Sequence, residues 1–155
     1  GHPRPGRRMR VLVVNGPSLN LLGTREPAIY GRETLDEINE ALRARAVELG
    51  VEVAFFQSNH EGALIDRLHA RDFDASIVNA GGLTHTSVSL RDALLGIERP
   101  FVEVHLSNLF AREERRHHSL FADLAIGVIT GFGAHGYVMA LQALHRRLHG
   151  TRPPG

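Results

Sequence analysis

The chain has 155 residues, with 18 basic and 17 acidic side chains and a formal net charge of +1. All the basic side chains are arginine, and there is no cysteine. This excludes Schiff-base chemistry on lysine, thiolate nucleophiles, disulfides and thiolate metal sites, and it leaves no strong field to gather nucleic acid or an anionic membrane. The length suits one domain, and 43% hydrophobic with 23% charged residues is ordinary globular composition. No apolar run is long enough to span a bilayer, and the basic N-terminal GHPRPGRR has no apolar stretch behind it to act as a secretory signal. The expectation is a cytoplasmic protein with a disordered start over residues 1–8, one domain over 9–150 and a disordered tail over 151–155.

The pattern alternates strand and helix. Met9 to Gly16 is a continuous apolar run closed by Asn-Gly-Pro and reads as a buried parallel strand. Thr34 to Leu49 is an amphipathic helix, with Thr34 as N-cap, Glu37 as its capping-box partner and Gly50 just past the end. Val51 to Gln57 is a second strand. His60 to Ala70 is a helix with Leu64, Ile65 and Leu68 on one face. Ala75 to Asn79 is a short apolar strand, and a helix follows over about Ser87 to Leu95. Phe101 to His105 and Leu124 to Thr130 are the last two strands. Gly136 to His149 is a final helix with an apolar stripe of Val138, Leu141 and Leu144, plus Met139. Five strands with helical connections predict an α/β, flavodoxin-like, doubly wound five-stranded parallel sheet with helices on both faces.

In such sheets a ligand sits outside the carboxyl ends of the strands. The residues predicted there are Asn15 to Ser18, Gln57 to His60, Asn79 to Gly82 with His85, His105 to Asn108, and Gly131 to Gly133. The set is polar, amide-rich and histidine-rich, with no acidic cluster for a metal. Generic readings of it are weak. Gly131 to Gly136 (GFGAHG) matches a dinucleotide signature, yet no further strand follows and the expected acidic residue is absent, so it reads as a tight turn with close helix–sheet contact. A phosphorylatable receiver would need acidic residues where Asn15 and Asn79 stand, and a lysine. A flavin carrier would want aromatic rings in the loops, which offer only Tyr30 and Phe110. His117 and His118 are adjacent and point apart, which argues against a shared metal. Ala111 to His118 (AREERRHH) reads most simply as a solvated charged helix, or else as an arginine lid over an anionic substrate.

Several segments together resemble the type II 3-dehydroquinate dehydratases. They are NGPSLNLLGTREPAIYG (Asn15 to Gly31), QSNHEGALID (Gln57 to Asp66), NAGGLTHTSVSLRDAL (Asn79 to Leu94), VEVHLSNLFAREERRHHS (Val102 to Ser119) and GFGAHGY (Gly131 to Tyr137). They fall in order and with family spacing over nearly all of residues 9–150. The resemblance implies a flavodoxin-like fold and reversible dehydration of 3-dehydroquinate to 3-dehydroshikimate through an enolate, without metal or organic cofactor. It leaves open the shikimate route to aromatic amino acids and quinate catabolism. It also implies a homo-oligomer, a dodecamer built as a tetramer of trimers; the small net charge argues against a nucleic-acid or membrane partner.

Roles follow from the resemblance position by position. Tyr30 would be the general base. An unperturbed phenol is only about 0.1% ionised at pH 7, and lowering its pKa by 2 units corresponds to about 2.7 kcal/mol, for which Arg25 and Arg112 would supply positive charge. His105 would be the general acid, with Glu103 on the same strand face to orient it. Asn79 and the backbone N–H groups of Leu106 and Ser107 would bind the substrate carboxylate or its neighbouring hydroxyl. His85 and Arg116 would contact the remaining hydroxyls, and Gly81 and Gly82 would allow close backbone approach. Asp92 would reach a neighbouring subunit's site. The loop from Leu21 to Gly31 would close as a lid. One departure stands out: the family pattern N-G-P-N here ends in Ser18, which would remove an amide that helps hold a water against the enolate. The alternative is therefore a catalytically impaired relative that binds the same ligand.

Overall fold

The computed structural model describes residues 7–24, 28 and 31–149. Residues 25–27 and 29–30 of the expected lid, among them Arg25 and Tyr30, and the outer parts of both termini lie outside the described residues. Arg7, within the segment expected to be disordered, pairs with Asp74 at 2.9 Å.

Among the described residues, five parallel strands form one sheet in the order β2-β1-β3-β4-β5. They are β1 (Arg10–Asn15), β2 (Glu52–Gln57), β3 (Ala75–Asn79), β4 (Phe101–His105) and β5 (Gly127–Thr130). The helices are α1 (Leu35–Leu49), α2 (Glu61–His69), α3 (Val88–Ile97) and α4 (His135–His149). The period of two in each strand divides the core in two. Val11 and Val13 pack with Leu42 of α1 and Leu141 and Leu144 of α4. Leu12 and Val14 face Leu64 and Leu68 of α2 and Leu90 and Leu94 of α3. The helices therefore cover both faces of the sheet, which explains the continuous apolar run of β1.

Helix boundaries follow local chemistry. Thr34 accepts from Glu37 N at 3.1 Å, Glu37 reaches back to Thr34 N, and Gly50 takes the left-handed conformation at φ 71°. α3 starts where Ser87 Oγ accepts from Leu90 N at 2.9 Å. It runs two residues beyond the expected end because Ile97 is buried against the core.

Three expectations need correction. β5 is four residues, not seven, because residues before it curl into turns, with Leu124 N bonded to Phe121 O at 2.9 Å. The stretch from Ala111 to His118 is not one helix: Leu109–Ala111 and Glu114–Arg116 are separate 3-10 turns with Arg112 extended between them. The buried stripe of α4 is Tyr137, Ala140, Leu141 and Leu144, with Val138 only partly covered. At the start of that helix, a Cβ on Gly136 would meet Ile129 at 3.3 Å and Val104 at 3.4 Å, so GFGAHG is a turn and a close helix–sheet contact.

Candidate active site

The register of the sheet aligns polar residues in a row at its carboxyl edge. Asn15 pairs with Gln57 on one side and with Asn79 on the other, and His105 pairs with Thr130. Strand order reverses between β1 and β3, and a loop follows each of them. Those two loops touch backbone to backbone: Gly16 N donates to Asn79 O at 2.8 Å. A Cβ on Gly16 would stand 2.3 Å from Ala80 O, and one on Gly81 would stand 2.9 Å from Pro17 O. Gly81 also has φ +59°, a region glycine enters without penalty. The closeness that Gly81 serves is thus already met by Pro17, whereas Gly82 faces open space.

A cavity of about 290 Å³ opens over this edge. Of the expected site residues it gathers Ser18, Asn79, Gly81, Gly82, His85, His105, Leu106, Ser107, Arg112 and Arg116. Leu19, Leu22 and Leu109 supply an apolar wall that polar pattern-reading missed. Asp92 is exposed on α3 and does not line it.

His105 is buried at 7% exposure, and its Nε2 contacts Glu103 Oε2. Glu103 is itself only 1% exposed and accepts from Ser119 Oγ at 2.8 Å through its other oxygen. A carboxylate accepts only, so Nε2 of His105 carries a hydrogen, and Nδ1 is the ring nitrogen left for the cavity. His85 is oriented likewise: its Nδ1 lies 2.8 Å from His118 O, a carbonyl that can only accept, so Nε2 is its remaining nitrogen.

The cationic side of the cavity comes from the two 3-10 turns. Arg112 Nη1 lies 3.4 Å from Ser107 Oγ, and Arg116 Nε pairs with Glu113 Oε1 at 2.7 Å. His117 Nε2 donates to Arg112 O at 2.6 Å and ties the segment down. Ser18 is exposed in the left-handed region at φ 68°, and its N–H donates to Asn59 Oδ1 at 2.9 Å.

Behind the cavity lies Tyr137, which is fully buried. Burial pushes its phenol well above the usual tyrosine range, outweighing the hydrogen bond from Asn79. It is therefore a neutral structural hydroxyl. Asn79 Oδ1 accepts from Gly81 N at 3.2 Å while its Nδ2 donates to Tyr137, so the amide orientation is set on both sides. Ser119 and Tyr137 each close a segment that carries the family resemblance, but the sequence reading gave neither a role. Among the described residues, no three His, Asp or Glu side chains converge as metal ligands, and no helix is long and apolar enough to cross a membrane.

The sheet order defines a flavodoxin-like α/β protein, with a buried histidine–carboxylate pair beside a cavity that two arginines also line. The model of the dehydroquinase class II family matches residues 9–145, and the chain belongs to that family. It is 58% identical over 135 residues to the 3-dehydroquinate dehydratase of Bordetella avium (strain 197N), covering 85% of this chain and 94% of that protein. It is 55% identical over 134 residues to the catabolic 3-dehydroquinase of Emericella nidulans, covering 85% and 88%. The crystal structure of the type II dehydroquinase from Butyrivibrio crossotus aligns with a TM-score of 0.86 at 40% identity, covering 88% and 97%.

Proposed function

We propose that the protein is a lyase that reversibly dehydrates 3-dehydroquinate to 3-dehydroshikimate. The observation that supports this best is the buried Glu103–His105 pair opening into a cavity edged by Asn79, Arg112 and Arg116. The arginines and amide suit a carboxylate bearing several hydroxyls. His105 suits proton delivery to a departing oxygen.

In the proposed reaction, Tyr30 as tyrosinate removes a proton from the carbon beside the ketone, and the electron pair moves into an enolate. Arg25 and Arg112 favour the tyrosinate. The enolate then re-forms the ketone as the C–O bond beyond it breaks. His105 Nδ1 gives its proton to that hydroxyl, which leaves as water. One C–H and one C–O bond break, and one carbon–carbon double bond forms. Leu106 and Ser107 N–H groups with Asn79 hold the carboxylate or the hydroxyl beside it, and His85 and Arg116 hold the remaining hydroxyls.

Assembly as a homododecamer, a tetramer of trimers acting in the cytoplasm, belongs to the same proposal. Asp92 is exposed and does not line its own cavity, and the β5 edge exposes Val128 at 42%; both suit burial against further copies. Sedimentation gives the oligomer directly.

The test is turnover of 3-dehydroquinate, followed through the ultraviolet absorbance of the conjugated product. Turnover that is lost in Tyr30→Phe supports both reaction and base. Tight binding without turnover would favour the impaired relative. Neither binding nor turnover would overturn the assignment.

A further inference from the structure

We propose that Ser119 is a positioning residue for the reaction, acting on His105 through Glu103. The inference rests on the dehydratase reading and adds a residue to it.

Hydrogen-bond direction ties Ser119 to Glu103. A serine hydroxyl has one proton and two lone pairs. The oxygen of Ser119 accepts from Phe121 N at 3.0 Å and from Ala122 N at 3.2 Å. Both donors are backbone N–H groups and cannot reverse. They engage the lone pairs and direct the single proton elsewhere. It meets Glu103 Oε1 at 2.8 Å. That oxygen must therefore accept, and it does so in a place where Glu103 is 1% exposed and cannot turn to water. With Oε1 engaged, Oε2 faces His105 Nε2. Glu103 thus accepts from Ser119 on one oxygen and from His105 on the other, which leaves His105 Nδ1 as the nitrogen on the cavity side.

The segment that carries Ser119 is anchored independently. Its preceding carbonyl, His118 O, receives His85 Nδ1 at 2.8 Å. Leu120 N donates to Thr84 O at 2.9 Å, and Arg91 Nη1 donates to Leu120 O at 2.8 Å. His118 and Ser119 thus bear on the ring orientation of the two cavity histidines, and Leu120 anchors the segment beside them. Ser119 itself is only partly buried and does not line the cavity. Its bond to Glu103 is therefore the route by which it acts on His105.

The experiment compares three variants for kcat, KM and melting temperature with 3-dehydroquinate. Ser119→Thr keeps both the acceptor lone pairs and the donor. Ser119→Asp keeps an acceptor for the turn N–H groups but offers Glu103 no proton. Ser119→Ala keeps neither. The expected result is near-normal kcat in Ser119→Thr, with kcat lowered about 10- to 100-fold in Ser119→Asp and Ser119→Ala, the range seen when the outer partner of an oriented histidine is lost. KM should stay within about twofold, since no substrate contact is removed. Ser119→Asp separates the role from mere turn stability, because its cap survives. Normal kcat in Ser119→Asp overturns the proposal, as does a loss in Ser119→Thr equal to that in Ser119→Ala. An unaltered protein that does not turn over 3-dehydroquinate would instead overturn the dehydratase reading.

Discussion

The hydroxyl of Tyr137 accepts a hydrogen bond from Asn79 Nδ2 at 2.9 Å and passes its own proton to Asn15 Oδ1 at 2.6 Å. One phenol from α4 thereby joins the ends of β1 and β3 beneath the cavity, 58 residues from Asn79 and 122 from Asn15 in the chain. All three groups are buried. Removing the oxygen leaves Asn79 Nδ2 and Asn15 Oδ1 without this partner. A buried polar group left unpaired costs about 1–3 kcal/mol. Tyr137→Phe should therefore lower the melting temperature by roughly 5–10 °C, given about 2–4 °C per kcal/mol at this chain length. KM should rise too, because Asn79 loses half of what orients it. Differential scanning calorimetry and steady-state kinetics on the same preparation check both.

The same burial makes the tyrosines separable. The chain has two tyrosines and no tryptophan. Burial holds Tyr137 neutral far above the ordinary tyrosine range. Its raised folded-state value stabilises the fold below pH ~10, and that stability is lost as pH rises beyond the unfolded value. Absorbance at the tyrosinate wavelength should thus show no Tyr137 signal until alkaline unfolding. Any tyrosinate formed near neutrality belongs to Tyr30 and should vanish in Tyr30→Phe. A neutral-range signal that persists in that variant would contradict the assignment of the base.

His105 and Glu103 should behave as a unit. Loss of a positioned general acid costs about 10²–10⁴ in rate. His105→Ala should fall in that range. Glu103→Gln preserves shape but replaces an acceptor oxygen with a donor amide where His105 Nε2 or the Ser119 hydroxyl needs acceptance. It should lose part of the same factor, and the double variant should be little worse than His105→Ala alone. Fully additive losses would mean that Glu103 acts elsewhere.

Arg91 links the Ser119 segment to α3. It meets Asp123 through both guanidinium nitrogens, at 2.5 and 2.9 Å, as well as Leu120 O. The hydrogen bond from Arg91 holds the Asp123 carboxyl below its usual range. A depressed carboxyl contributes stability above its unfolded value, near pH ~4, and loses it as pH falls through the folded value. The difference in melting temperature between the unaltered protein and Arg91→Ala should hence be full at neutral pH and shrink below about pH 4. A residue of the difference should persist there, because the bond to Leu120 O does not titrate.

Much of this arrangement was legible in the sequence, for definite reasons. Ala75 to Asn79 and Phe101 to His105 are strands with the predicted limits because turn residues bracket short apolar runs. The period of two placed Glu103 and His105 on one face, which is where they meet. The order of Asn15, Asn79 and His105 at strand ends located the cavity. What failed was local competition. Leu124 to Ile126 are as apolar as a strand but are spent in a turn begun by Ser119. The charged run from Ala111 lacks the apolar spacing that would hold a single helix, and its segment is instead tied down by His117 and Arg112. Ser119 and Tyr137 act on partners 16 and 58 residues away, a distance over which neither pattern nor propensity speaks.

Ser18 offers the sharpest remaining contrast, since the family resemblance implies asparagine there. Its backbone stands at φ 68°, ψ −2°, in the left-handed region. Asparagine occupies that region several-fold more readily than most residues, a preference of about 0.5–1 kcal/mol. Ser18→Asn should accordingly raise the melting temperature by roughly 1–4 °C, without altering the Ser18 N–H bond to Asn59. The side chain at this position lines the cavity, and an amide there restores a donor that a serine hydroxyl reaches less far to supply. Because a single lost donor to a developing enolate costs about 10²–10³ in rate, even partial restoration should raise kcat about 10-fold. Stability and rate rising together would show that Ser18 sacrifices both. Stability rising alone would mean that the enolate is already served in the serine protein, with the hydroxyl and a water doing the work of the amide.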